Sequence, residues 1–161
     1  MDKLKRRGLL FLILLLVLSL AACSGGQNAS FEMDVQEIYE QLTALPDMPE
    51  MIVLPEDKAL DFLGLDMSKC VQAVTAICAM NIQADEIWLV EAKDSAAAAE
   101  IEELARARVE QRKQEFETYS PSQYQVLENA AILREGNYVV LLVSQNTEEL
   151  KAAFDKLVGI N

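Results

Sequence analysis

The chain of 161 residues contains no histidine. Histidine is the side chain whose ordinary pKa lies nearest neutrality and the commonest metal ligand. Its absence excludes His-based catalytic triads, His-assisted zinc sites and imidazole acid–base chemistry. Positive charge is also scarce, with 14 Lys and Arg against 26 Asp and Glu and a net charge of −12. Nucleic-acid binding needs a basic footprint, so nucleic acid is excluded as a partner. Only 3 cysteines are present, with no Cys-x-x-Cys. There is no nucleophile elbow, phosphate loop or dinucleotide fingerprint. Ser and Thr are sparse, and no base stands ready to activate one. The expectation is a protein that is not an enzyme and carries neither cofactor nor metal.

What is present begins at the N-terminus. Lys3, Lys5, Arg6 and Arg7 precede an apolar run from Gly8 to Leu20, broken only by Ser19. A membrane span needs about 20 such residues, and this run is shorter. Leu20, Ala21, Ala22 and Cys23 close it and resemble the lipobox of bacterial lipoproteins. An uncleaved anchor helix is the alternative, but small residues leading to Cys have no purpose in an anchor. Residues 1–22 are therefore read as a lipoprotein signal peptide. Cys23 is read as the lipid-attachment residue, on a flexible tether of small and polar residues through 32. Two or more acyl chains hold a protein stably at a membrane surface. Without residues 1–22 the net charge is −15, which argues against lying flat on anionic lipid. Residues 33–161 are long enough for one domain with a real core.

Met33–Leu45 has helical spacing at Val35, Ile38, Leu42 and Leu45, and Pro46 ends it. Residues 47–54 read as a loop pinned by Met48, Met51 and Ile52. Pro55 opens a short helix that Gly64 stops. Val71–Asn81 and Ile87–Lys93 read as strands. Asp94-Ser95 caps a long helix to about Tyr119, with Ala97, Ile101, Leu104, Ala105, Val109, Phe116 and Tyr119 as its inner stripe. Residues 120–129 look irregular. Ala130–Arg134 and Tyr138–Ser144 form a hairpin about Glu135-Gly136-Asn137. Asn146-Thr147 caps a last helix whose stripe is Leu150, Phe154 and Leu157. The expected fold is α+β, in the order α-α-β-β-α-β-β-α, with helices packed on a four-stranded antiparallel sheet. Ile87-Trp88-Leu89-Val90 echoes Val139-Val140-Leu141-Leu142 at an offset of 52 residues, either as a duplicated β-β-α unit or as two ordinary strand-to-helix junctions.

Geometry adds two expectations. The long helix overhangs its sheet, so its end packs on residues 120–129, on the first helices or on a partner. The strands are apolar on both faces, so helices cover both, or one face is a binding or homodimer surface. Cys70 and Cys78, if on one strand, lie about 26 Å apart, too far for a disulfide; they read as buried thiols.

The candidate binding residues are Arg108 and Arg112, four apart beside the inner stripe, with Tyr119 and Tyr124. Guanidinium and phenol groups converging on a cleft hold anions; the plainer alternative is stems snorkelling over the core edge toward surface carboxylates. Glu100, Glu103 and Glu110 read as a solvated helix face rather than an acid–base pair.

Leu45-Pro46, Gly64-Leu65-Asp66, Ala84-Asp85-Glu86-Ile87, Phe116-Glu117-Thr118-Tyr119-Ser120-Pro121 and Gly136-Asn137-Tyr138-Val139 stand in a series that resembles domain-of-unknown-function family 4358. It departs at Phe62-Leu63-Gly64, where an aromatic is expected immediately before the glycine. The resemblance implies a small lipoprotein of a Gram-positive anaerobe at the outer face of the cytoplasmic membrane. It brings no catalytic residues. The expected function is a lipid-anchored, non-catalytic binding or adaptor domain of the cell envelope, with an envelope protein or a second copy as partner. The alternative is an enzyme or accessory subunit acting on cell-wall or exopolysaccharide material through carboxylates.

Overall fold

The computed structural model describes residues 34–159. The expected signal segment, the expected lipid-attachment residue Cys23 and the expected tether lie outside the described residues. Helix α1 (Val35–Thr43) is capped by the Asp34 carboxylate, which accepts from the amides of Gln36 and Glu37. Its buried stripe of Val35, Ile38, Tyr39 and Leu42 follows the helical period. Strand β1 (Met51–Val53) and helix α2 (Glu56–Leu63) follow, then a single 3₁₀ turn at Met67–Lys69. Strands β2 (Cys70–Cys78) and β3 (Glu86–Ala92) lead to α3 (Ser95–Phe116) and α4 (Pro121–Glu128). Strands β4 (Ala131–Glu135) and β5 (Tyr138–Val143) and helix α5 (Thr147–Val158) complete the order.

The architecture is α+β, as expected, but the sheet has five antiparallel strands in the order β1-β2-β3-β5-β4, not four. The added strand is β1, which lies in the expected loop and pairs Met51 with Cys78 and Val53 with Ala76. Pro49 and Pro55 flank it, and prolines are tolerated beside a short edge strand because one side of its backbone needs no partner. Ile52, expected to pin the loop inward, is instead exposed. Residues 121–128 are likewise not irregular. Pro121 occupies the first helical position, and Gln123, Val126 and Leu127 are buried.

Helix α3 has 22 residues, about 33 Å at 1.5 Å per residue. It outruns the sheet as expected, and α4 receives its end: Phe116, Val126 and Leu127 share one apolar cluster. Because α3 stops at Phe116, Tyr119 falls beyond the inner stripe and is 66% exposed.

Both faces of the sheet are covered. Trp88, Val90 and Ala92 of β3 and Val139, Leu141 and Val143 of β5 pack with Ala98, Ile101 and Ala105 of α3. The alternate residues Ile87, Leu89, Val140 and Leu142 are equally buried, on the face where α1 and α5 lie. Each fully buried Val or Leu contributes about 1.5–3 kcal/mol, so β5, buried from Val139 to Val143, is the spine of the core. The 52-residue echo pairs Trp88 with Val140, which point to opposite faces, and the following helices α3 and α5 also lie on opposite faces.

The last helix differs in detail from expectation. Asn146 makes no side-chain cap; the Thr147 hydroxyl donates to the Ser144 carbonyl at 2.7 Å and accepts from its amide at 3.0 Å. Val158 is buried in place of Leu157, which is exposed. Gly64 ends α2 with φ of 74°, and a Cβ there would meet Leu104 Cδ1 at 3.2 Å. Left-handed backbone disfavours side chains, so Gly64→Ala is expected to cost about 1 kcal/mol or more, read from the urea midpoint. No change would mean that α2 ends differently.

Candidate functional site at the β2–β3 turn

Residues 79–85 connect β2 to β3 and are held from several sides. The Cys78 amide donates to the Asp85 carbonyl at 2.9 Å, the Gln83 amide to Met80 at 3.0 Å and the Ala79 amide to Glu50 at 2.8 Å. From α4, the buried Gln123 side chain accepts from the Ala84 amide at 2.8 Å. From α3, Arg112 Nη2 donates to the Gln83 carbonyl at 3.4 Å. The overhanging helix end and α4 thus fix this turn in place.

Two concavities flank it and share Met80 and Gln83. One, of about 480 Å³, is lined by Met80, Ile82, Gln83, Tyr119, Ser120 and Gln123. Met80, Ile82 and Tyr119 are each more than half exposed on its rim. The other, of about 370 Å³, lies between the 47–50 loop and the turn; it includes Asp47, Glu50, Cys78, Asp85 and Gln145. Both volumes suit a small ligand or the end of a longer one.

Asp85 is the least ordinary group here. It is 3% exposed, and its Oδ2 is buried without a hydrogen-bond partner among the described residues. Burial raises its pKa; hydrogen bonds from its own amide, the Ser144 hydroxyl and the Gln145 amide act in the opposite sense without cancelling it. A folded pKa above the unfolded one means that the native state holds the proton more tightly. Stability then falls as pH rises from the unfolded value through the folded one, and the penalty persists above that. Asp85→Asn removes the buried charge. The variant is expected to be more stable than the parent at neutral pH, with the advantage closing as pH falls toward 4. Thermal unfolding across pH checks this, and a variant less stable at neutral pH contradicts it.

Cys70 and Cys78 are both buried and unbridged, and burial raises both thiol pKa values. Cys78 Sγ donates to Gln83 Oε1 at 3.2 Å and accepts from the Met80 amide at 3.4 Å, so it packs the turn as a small hydrophobe with two polar contacts.

The four residues singled out from the sequence have different fates. The guanidinium of Arg108 forks onto Glu86, with Nε 3.1 and 3.2 Å from its two carboxylate oxygens and Nη2 at 3.1 Å. Glu86 also accepts from Trp88 Nε1 at 2.8 Å. Arg112 pairs with Glu115 at 2.6 Å and lies over the Phe116 ring, 4.7 Å from its centroid. Tyr124 packs half-buried against the core. Of the four, Tyr119 alone lines the larger concavity. Of the helix carboxylates, Glu103 pairs with Arg106 and Glu110 with Lys113, each three residues on along α3, whereas Glu100 pairs with Lys69 from the 3₁₀ turn before β2. Among the described residues no group of acids or thiols has metal-binding geometry, and no helix is long and apolar enough to cross a membrane.

Asp47, Glu50 and Asp85 escape sequence reasoning about sites. The one available signal is the doublet Asp85-Glu86 at the start of a strand buried on both faces: both acids go inside, and each needs a partner. Glu86 finds one in Arg108.

The fold is that of an acidic α+β domain with a covered sheet and a two-part concavity at one turn. The sequence profile of the family described as Domain of unknown function (DUF4358) matches residues 47–144. The chain belongs to this family. No curated protein and no solved structure matches the chain. The matched span holds all five strands and α2–α4, while α1 and α5 lie outside it.

Proposed function

We propose that this protein is a lipoprotein anchored through Cys23 at the outer face of a Gram-positive cytoplasmic membrane, and that its domain is a non-catalytic binding or adaptor module. The run from Lys3 to Cys23 carries the anchoring half of this reading. The binding half rests on the β2–β3 turn, where Met80, Ile82 and Tyr119 leave apolar surface exposed beside a concavity. With both sheet faces covered by helices, that turn is a better contact surface than either face.

The test is affinity capture of the full chain from gently solubilised envelopes, with protein and glycan analysis. Recovery of a stoichiometric partner, lost when Met80 and Tyr119 are replaced by serine, is the expected result. Recovery of the chain alone overturns the binding half. A second reading, carboxylate chemistry on wall polysaccharide, draws on Asp85, a buried acid with raised pKa that shares a concavity with Glu50. It requires that an extract containing the full chain cleave such material and that Asp85→Asn not.

A further inference from the structure

We propose that the concavity between the 47–50 loop and the β2–β3 turn binds an organic cation, an alkylammonium group whose charge meets Asp85 and whose chain lies along Pro49 and Met80. This deepens the binding half of the proposed function by naming the ligand's chemistry; it does not depend on the lipid anchor.

Three carboxylates, Asp47, Glu50 and Asp85, stand among the described residues lining this space, and none of those residues is cationic. Asp85 is the base of the site. The Ser144 hydroxyl and the Gln145 amide act on its carboxyl as hydrogen-bond donors, whereas Oδ2 is buried with no donor among the described residues. A buried polar atom without a partner costs about 1–3 kcal/mol, and an N–H donor carrying positive charge would remove that cost and neutralise the acid. A bare metal ion fits poorly, because these acids lack metal-binding geometry. An anion would meet three like charges. A neutral apolar ligand would leave Oδ2 unsatisfied. The alkyl part suits the remaining lining: Pro49 is half-buried, Met80 is exposed, and Cys78 contributes a thiol already occupied with Gln83. At its edge the space meets the apolar rim of Ile82 and Tyr119 through the shared Met80, so the chain of a longer ligand can continue onto it.

Two sources supply this chemistry: a free diamine, or a lysine side chain of a peptide. Calorimetry on the full chain in detergent micelles would use cadaverine for the first and N-acetyl-lysine amide for the second, with N-acetyl-norleucine amide as the neutral match. One-to-one binding of at least one cationic probe is expected, with at least tenfold weaker binding of the norleucine probe. Asp85→Asn should weaken the cation at least tenfold. Glu50→Gln, at an exposed position that cannot endanger folding, should weaken it about threefold. Affinity should also fall on acidification, as Asp85 takes up its proton; Asp47, Glu50 and Cys78 are the other titratable groups facing it. Preference between the cationic probes identifies the source. No binding of either, equal binding of the norleucine probe, or affinity unchanged by both substitutions overturns the proposal. Cys23 lipidation and partner capture are read independently, so their failure is distinguishable from this one.

Discussion

Replacing Arg108 by alanine is expected to destabilise the domain by about 3–5 kcal/mol, the range for breaking one side of a buried ion pair. Glu86 is 2% exposed at the start of β3. Its carboxylate accepts three hydrogen bonds from the Arg108 fork and one from Trp88 Nε1. Arg108→Ala leaves that carboxylate inside the protein with the indole as its only hydrogen-bond partner among the described residues, an uncompensated charge that the surrounding apolar residues cannot solvate. A pair of this kind contributes less than its removal costs. Replacing both partners by leucine is therefore expected to cost less than Arg108→Ala alone. Urea unfolding of the single and double variants checks both statements. A loss below about 1 kcal/mol, the range of surface ion pairs, would contradict the buried arrangement.

Phe154→Ala is expected to cost a similar amount, about 3–5 kcal/mol, by leaving a cavity against the sheet. Phe154 is buried on α5, which packs on β5 and α1. Neither helix falls within the span matched by the family profile, yet without them Ile87, Leu89, Val140 and Leu142 would face solvent. The loss therefore measures how far the second layer belongs to the cooperative core. Leu157→Ala on the same helix is the control. Leu157 is exposed, and exposed substitutions usually change stability by about 0.5 kcal/mol or less. Equal effects at 154 and 157 would mean that α5 is not docked as described.

Much of this fold was legible from periodicity alone. Strands with apolar residues at every position, such as Tyr138–Val143, imply layers on both faces, and both layers exist. The helix caps at Asp94 and Gly64 stand where the sequence places them. Elements were missed where local signals compete. A strand of three residues in the stretch between Pro49 and Pro55 carries too little pattern to be read as one, and β1 forms because β2 offers it a free edge. Pro121 reads as the end of one helix, though it is equally the start of the next. Asn146-Thr147 resembles a cap, but the bond is made by the threonine.

The binding residues were less legible, for a physical reason. Arg108 and Arg112 were conspicuous as rare cations near an apolar stripe. Spacing along a helix does not reveal that Glu86, 22 residues earlier, would take up the first guanidinium. Asp47, Glu50 and Asp85 come together only because β1 pairs with β2 and carries the preceding loop to the β2–β3 turn. A concavity assembled from three separate segments leaves no local pattern in any of them.

The claim on which the functional reading rests is that Cys23 holds this domain at a membrane surface. The most direct measurement is metabolic labelling of a Gram-positive host with an alkyne fatty acid, comparing the full chain with Cys23→Ala. The expected result is lipid label on the parent chain in the membrane fraction, accessible to protease added outside protoplasts. The variant should lose the label and leave that fraction. Unlabelled parent protein, or a variant that stays membrane-bound at the parent level, would contradict the anchoring.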